Sequence, residues 1–339
     1  MISSIGAWLP REFRGEDAVG FGTLLAILVV AVARSAQCQR ATAKQTRGEV
    51  AQWYRETSNE FIATAYRRTD LTCCGLVASL FKFHNEFVNV WTHLASSLVC
   101  ICQAVHVLRC AANTPEGMFR DELNFLVFFT TCSAIMFTLS WMFHLFAPYS
   151  ARAMLTLNRM DYVGIIVMIV GSFYPMVRVV FPSFDAAAPL DAAAQAENAR
   201  IRWWYLSGIS ALGLPLTVCA LQKFFYLPSF NVARAIFFIC FGGLGAVPFF
   251  HGYARDQRWM DYHTSILTMG TLYIVGALLY AFHIPERLVA RGTFDLLGAS
   301  HQLFHLFVCA ATCVHWNGCR NGLERLHGRP LSGFFGPAL

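Results

Sequence analysis

The chain has 339 residues, of which 56% are hydrophobic and 14% charged, with a mean hydropathy of +0.47 and a formal net charge of +6. A soluble domain usually carries about 25% charged residues, so this composition excludes an ordinary soluble protein and indicates an integral membrane protein. The basic residues are dispersed among short polar stretches, which argues against nucleic-acid binding. Seven of the twelve cysteines lie inside apolar segments, where they act as small hydrophobic residues and not as a disulfide framework.

The N-terminal region consists of a tail, residues 1–34, and a polar lead-in, residues 35–84. The tail contains an apolar run at 18–33 that ends at Arg34, and this run is slightly short of the ~20 residues that a spanning helix needs. Three interpretations stay open for it: an extra transmembrane helix, a signal anchor or a cleaved signal peptide. The lead-in is basic, and we predict that it is cytoplasmic and contains an interfacial helix near residues 61–66.

A core at 85–317 contains seven apolar segments of spanning length, and residues 318–339 form a short C-terminal tail. The fold class is therefore all-α, a seven-transmembrane helix bundle in an integral multi-pass membrane protein. The basic lead-in predicts that the N-terminal side of the core faces the cytoplasm, and the sequence does not distinguish the plasma membrane from an internal membrane. The segments lie at 88–108, 123–147, 160–181, 202–221, 232–251, 262–282 and 299–317.

Alternation of seven spans brings four polar clusters into the same leaflet, the one on the N-terminal (cytoplasmic) side. They occur where the first segment opens, the second closes, and the third and seventh open. In chain order, the clusters contain Glu86, Asn89 and His93; Ser140 and His144; Asp161 and Tyr162; and His301 and His305. Ionisable residues inside a membrane are costly unless they have partners or a function.

The histidines of these clusters predict a metal site. His301 and His305 are four residues apart, which places them on one face of a helix, and His144 lies at the same predicted depth. Three histidines beside a carboxylate are typical of catalytic Zn²⁺, which keeps a fourth position for water. Asp161 would accept a proton from that water or orient it, and Ser140 would hydrogen-bond a ligand or the substrate carbonyl. Hydrogen bonding between helices is the alternative interpretation.

Four further residues of these clusters are predicted to support the ligands or to join the helices. Glu86, Asn89 and His93 share one face of the first segment. A packing network between helices is the preferred interpretation for these three. Tyr162 follows Asp161 directly and is placed in the same group.

Six motifs in the same order make the chain resemble the progestin and adipoQ receptor family, which includes the adiponectin receptors and is related to the bacterial haemolysin III proteins. The resemblance covers residues 61 to about 310. The motifs are Phe61-Ile62 with Ala65-Tyr66-Arg67; His84-Asn85-Glu86 with Asn89 and Trp91-Thr92-His93; Ser140 with His144; Met160-Asp161-Tyr162; Ile284-Pro285-Glu286-Arg287; and Gly298 with His301-Gln302 and His305.

The resemblance implies a seven-transmembrane receptor whose N-terminus is cytosolic, opposite to G-protein-coupled receptors. It implies Zn²⁺ near the cytoplasmic leaflet, with His144, His301 and His305 as ligands and with Asp161 and Ser140 beside the metal. The adiponectin receptors look like zinc-dependent ceramidases, and other branches are described as steroid receptors or regulators of membrane lipid composition. The run at 18–33 is not part of the family core, and hormone specificity does not transfer.

These observations support two main hypotheses. The first is a receptor with zinc-dependent amidohydrolase activity on ceramide-like membrane lipids, which signals and regulates lipid metabolism. The second is a receptor without enzymatic activity, in which zinc is structural. A pore or transporter is disfavoured, because its intramembrane charges would line both leaflets. The expected partners are membrane lipids and an extracellular ligand that the sequence does not identify, with no nucleic acid.

Overall fold

A computed structural model describes residues 45–256 and 260–328 of the chain, and these residues are all-helical apart from an isolated β-bridge between Gln45 and Tyr66. The all-α class predicted from the sequence is therefore confirmed for this part of the chain. Its α-helices are α1 (Gln52–Thr57), α2 (Cys73–Ala78), α3 (Phe87–Ala112), α4 (Met118–Phe146), α5 (Ala151–Val180), α6 (Ala192–Ala220), α7 (Asn231–Gly243), α8 (Ala246–Arg255), α9 (Met260–Phe282) and α10 (Ser300–His327).

Six stretches of the described chain are long and apolar enough to cross a membrane. They contain α3, α4, α5, α6, the pair α7–α8, and α9, and they coincide with the first six segments predicted from the sequence. The last helix, α10, is 28 residues long. It is not among the six, and polar side chains such as Gln302, Thr312 and His315 are buried along it.

Several helix boundaries differ from the predicted segments. α6 begins at Ala192, inside the predicted polar loop, because the Asp191 carboxylate accepts a hydrogen bond from the Ala194 amide and caps the helix. The segment predicted at 232–251 divides into α7 and α8. α10 continues past residue 317 to His327, where buried Leu323 and Leu326 extend its packed face.

The prediction of an interfacial helix near residues 61–66 is wrong, since this stretch is irregular. The backbone amides of Ala63 and Thr64 donate to the Asp295 carboxylate at 2.8 and 2.7 Å instead of forming helical hydrogen bonds. Ala65 has a φ of 65°, which an α-helix does not allow. Two short helices, α1 and α2, flank the stretch. The apolar run at 18–33 lies outside the described residues.

The helix α10 is positioned by four neighbours. It packs against α3, α4, α5 and α9. More than half of its residues are buried, including Gln302, His305, Thr312 and His315. The polar side of α10 therefore faces other helices, which explains how a helix of this composition fits into an apolar bundle.

Candidate metal centre

Three histidines from two helices meet at one end of the bundle. His144 lies in the last turn of α4, and His301 and His305 lie in the first two turns of α10. One ring nitrogen from each lies within 4.8 Å of the others, and the ring centroids are 4.8 to 5.0 Å apart. His144 and His305 are 3% and 1% exposed. In the part of the chain that the structure describes, this is the group of side chains suited to a metal ion.

Arg67 fixes the end of α4 that carries His144. Its buried guanidinium donates to the backbone carbonyls of His144 and Leu145 at 2.5 and 2.8 Å. Carbonyls in the last turn of a helix have no partner within the helix, so these bonds satisfy them. Burial lowers the pKa of Arg67, and Tyr54 and Glu86 oppose this effect. A residue of the lead-in thus holds a candidate ligand in place.

Glu286 fixes the start of α10, which carries the other two histidines. Its carboxylate accepts hydrogen bonds from the Ser300 amide at 2.8 Å, from the Ser300 hydroxyl, and from the Asn59 side-chain amide at 2.8 Å. The Gln302 side chain also accepts from the Gly298 amide at 2.7 Å. The sequence patterns predict no role for Glu286, because a carboxylate fourteen residues before its helix partner lies outside any local capping signature.

Replacing Glu286 with alanine is expected to destabilise the protein by about 1–3 kcal/mol, because a buried helix amide and the Asn59 amide lose their acceptor. The measurement is thermal unfolding of the detergent-purified protein. Glu60→Ala is the matched control, since the Glu60–Arg291 ion pair at 3.5 Å is 64% exposed on both sides and contributes little. Equal melting temperatures for Glu286→Ala and wild type would contradict the role given to Glu286.

Glu86 and Asn89, at the start of α3, contact two of the histidines directly. The Glu86 Oε2 atom lies 2.8 Å from His144 Nδ1 and accepts from Asn89 Nδ2 at 2.6 Å. His305 Nδ1 lies 3.2 Å from the Asn89 carbonyl oxygen and 3.3 Å from the Thr92 hydroxyl. His144 Nε2 is buried and has no hydrogen-bond partner among the described residues. The residues predicted to join helices therefore also hold the candidate ligands.

His93 and Tyr162 lie around the three histidines without joining them. The His93 ring stacks on His305 with centroids 3.6 Å apart and planes 11° apart. Tyr162 packs edge-on against Phe225, and the Arg234 guanidinium lies over its ring at 4.8 Å. Both side chains shape the surroundings of the cluster.

Asp161 and Ser140 lie beside the cluster, as their predicted depth required. Asp161 is buried on α5 and interacts electrostatically with His144 and Arg234 and with the Ser140 hydroxyl. Ser140 is one helical turn before His144 on α4 and is buried. The sequence patterns predict no role for Arg234, although an arginine inside a spanning segment is a signal of function. It donates to the Tyr280 hydroxyl at 2.9 Å.

A cavity of about 440 Å³ connects these residues to the lead-in. This volume is within the range of about 300–1,000 Å³ that is typical of ligand sites. The cavity is bordered on one side by lead-in residues such as Tyr54 and Asn59. The ionisable side chains on its wall include those of Glu86, His144, Asp161, Arg234, Tyr280 and His301. All four polar clusters predicted from the sequence contribute to it.

A family model described as haemolysin-III related matches residues 81–316, which is more than half of the chain and includes all three histidines. The chain belongs to the haemolysin-III-related family. The resemblance to the progestin and adipoQ receptors is thereby confirmed. Together with the six apolar helical stretches found among the described residues, membership makes this haemolysin-III-related chain an integral multi-pass membrane protein.

Curated relatives of this haemolysin-III-related chain carry receptor names. It is 31% identical over 265 residues to the adiponectin receptor protein of Drosophila melanogaster, covering 77% of this chain and 55% of that protein. It is 29% identical over 286 residues to the ADIPOR-like receptor IZH2 of Saccharomyces cerevisiae, with 82% and 84% covered. It is 31% identical over 274 residues to heptahelical transmembrane protein 1 of Arabidopsis thaliana, with 76% and 75% covered. The chain thus spans about half the length of the Drosophila relative.

Proposed function

We propose that this membrane receptor-family protein is a zinc-dependent hydrolase that cleaves the amide bond of ceramide-like lipids. The observation that carries the proposal is the cluster of three histidines, two of which, His144 and His301, line one cavity together with the Asp161 carboxyl group. The predicted depth of the histidines, near a leaflet boundary, suits a lipid whose amide lies just below the headgroups.

The residues present fit a zinc ion. The Nδ1 atoms of His144 and His305 are engaged by Glu86 and Asn89, and His144 Nε2 is buried without a protein partner. Neutral imidazoles are preferred ligands of Zn²⁺, and a set of three leaves a position open. A zinc ion held there would supply Lewis acidity toward a carbonyl and would lower the pKa of water.

The chain's own residues supply the proton transfers of amide hydrolysis. Water adds to the carbonyl carbon and the carbon–nitrogen bond breaks, so that one proton must move from the water to the leaving amine. Asp161 is the carboxyl group to which we assign this transfer, since it is buried and shares the cavity with His144 and His301. Ser140 contacts Asp161 and orients it. The products are a free fatty acid and a sphingoid base.

The topology that accompanies this function has α10 as a seventh spanning helix. Its length of 28 residues exceeds the ~20 needed to cross a bilayer. Its polar side faces other helices, and the Arabidopsis relative is named heptahelical. The basic lead-in supports a cytoplasmic location for the cavity.

The second candidate is a receptor without enzymatic activity, in which the metal joins α4 and α10. The relatives' receptor names favour it. The dense hydrogen bonding of Glu86 and Asn89 with the histidines also suits a structural site, because structural zinc is held in a closed set of ligands.

A hydrolysis assay on the full-length protein in detergent distinguishes the two candidates. We expect fatty-acid release from ceramide that stops after treatment with a strong chelator and returns when zinc is added, because metal removal takes away the Lewis acid. A chelated sample given magnesium in place of zinc is the control. Zinc-loaded protein that releases no fatty acid from ceramides of any chain length would contradict the hydrolase and favour the receptor.

A further inference from the structure

We infer that Glu86 and Asn89, at the start of α3, are positioning residues that determine which ring nitrogen His144 and His305 present to the metal. This inference rests on the zinc site proposed above and deepens it. α3 itself contributes none of the three clustered histidines. It would nevertheless decide whether two of them can bind.

Glu86 determines the hydrogen position on His144. A carboxylate oxygen accepts hydrogen bonds, and Glu86 Oε2 already accepts from the Asn89 side-chain amide at 2.6 Å. His144 Nδ1, 2.8 Å from the same oxygen, must therefore carry the hydrogen. In a neutral imidazole the other nitrogen, Nε2, then has the free lone pair. That nitrogen is buried and has no hydrogen-bond partner among the described residues.

Asn89 determines the hydrogen position on His305 through its backbone. A carbonyl oxygen can only accept, so His305 Nδ1, at 3.2 Å from the Asn89 oxygen, carries the hydrogen. The neighbouring Thr92 hydroxyl donates to the Val88 carbonyl at 2.8 Å, which leaves its lone pairs toward His305. His305 is therefore also set to bind through Nε2. One end of α3 orients ligands that come from two other helices.

His301 has no such support among the described residues. Its ring is held edge-on by Tyr280, with centroids 5.0 Å apart, and it is partly exposed to the cavity. The three histidines thus differ in how they are held: two donate hydrogen bonds to acceptors at the start of α3, and one is held by packing. Loss of the α3 contacts would loosen the two buried ligands.

The alternative role for Glu86 is to join α3 to α4 without affecting the metal. Glu122 provides a matched control for that role. It is a buried glutamate on α4 whose carboxylate pairs with Arg178 at 2.9 Å, and it does not line the cavity. Replacing either glutamate removes a contact between helices, but of the two only Glu86 contacts a histidine of the cluster.

The test measures zinc affinity by competition with a chelator and the visible spectrum of the cobalt-substituted protein. We expect Glu86→Leu to lower zinc affinity by about 10–100-fold, as loss of a ligand's supporting partner typically does, and to change the cobalt spectrum. Glu86→Gln keeps an oxygen that can accept from Nδ1 and is expected to restore most of the affinity. Glu122→Gln is expected to lower the melting temperature and leave both metal measurements unchanged.

Folded Glu86→Leu protein with wild-type zinc affinity and cobalt spectrum would overturn the inference. If Glu86→Leu does not fold, Glu86→Asp takes its place, because the shorter side chain withdraws the acceptor from His144, and wild-type metal binding in that variant overturns the inference equally. These measurements use no lipid. A loss of affinity in a protein that hydrolyses no ceramide would support the inference while contradicting the hydrolase, whereas wild-type protein that binds no zinc would overturn both.

Discussion

Purified protein with His305→Ala is expected to contain almost no zinc, whereas we expect the wild type to contain about one ion per chain. His305 is a buried member of the cluster, and alanine has no lone pair to replace its nitrogen. Loss of a residue that supports a ligand typically lowers metal affinity by roughly 10- to 100-fold. Removing one of three protein ligands should lower zinc affinity further. Elemental analysis of the purified protein measures the zinc content, and we expect the same result for His144→Ala and His301→Ala.

His315→Ala is the matched control for this prediction. His315 is a buried histidine on the same helix, but its Nε2 atom lies 2.9 Å from the Ser172 carbonyl and it is not part of the cluster. Its replacement should leave the zinc content unchanged. Full zinc content in His301→Ala or His305→Ala would refute the ligand assignment.

The sequence was sufficient to locate the clustered residues because depth in a membrane follows from counting apolar segments. Six of the seven predicted segments coincide with helical stretches of spanning length. That alternation placed His144 and Asp161 at the depth of His301 and His305. Three of these residues, His144, Asp161 and His301, line one cavity, and His305 belongs to the same histidine cluster. The helical period of 3.6 residues and the length of ~20 residues for a spanning helix can both be recognised in a single sequence.

The contacts that hold the histidines could not be predicted, because they join residues far apart in the chain. Arg67 reaches the carbonyl of His144, 77 residues later, and Asn59 reaches Glu286, 227 residues later. No periodic pattern encodes such pairs. The lead-in shows the same limit: its predicted helix at 61–66 is absent because Asp295 binds the backbone there.

Asp161→Asn is expected to keep the zinc content of wild type and to lose about 10²–10⁴-fold of the ceramide turnover, which is the usual contribution of a general acid–base group. Asparagine has nearly the same shape, and its side-chain oxygen can still accept from Ser140. However, it cannot take up the proton of water or deliver one to the leaving amine. Turnover and zinc content are measured on the same preparation, so a loss of metal is not mistaken for a loss of proton transfer.

Asp295→Asn is the matched control for Asp161→Asn. Asp295 is a buried aspartate near the same end of the bundle, where it binds the amides of Ala63 and Thr64 and does not line the cavity. Its replacement should lower stability without changing turnover per folded molecule. Wild-type turnover in Asp161→Asn would show that another group transfers the proton. Turnover that is lost in Asp161→Asn alone, with zinc retained in both variants, would distinguish an enzyme from a receptor that only uses the metal to join its helices.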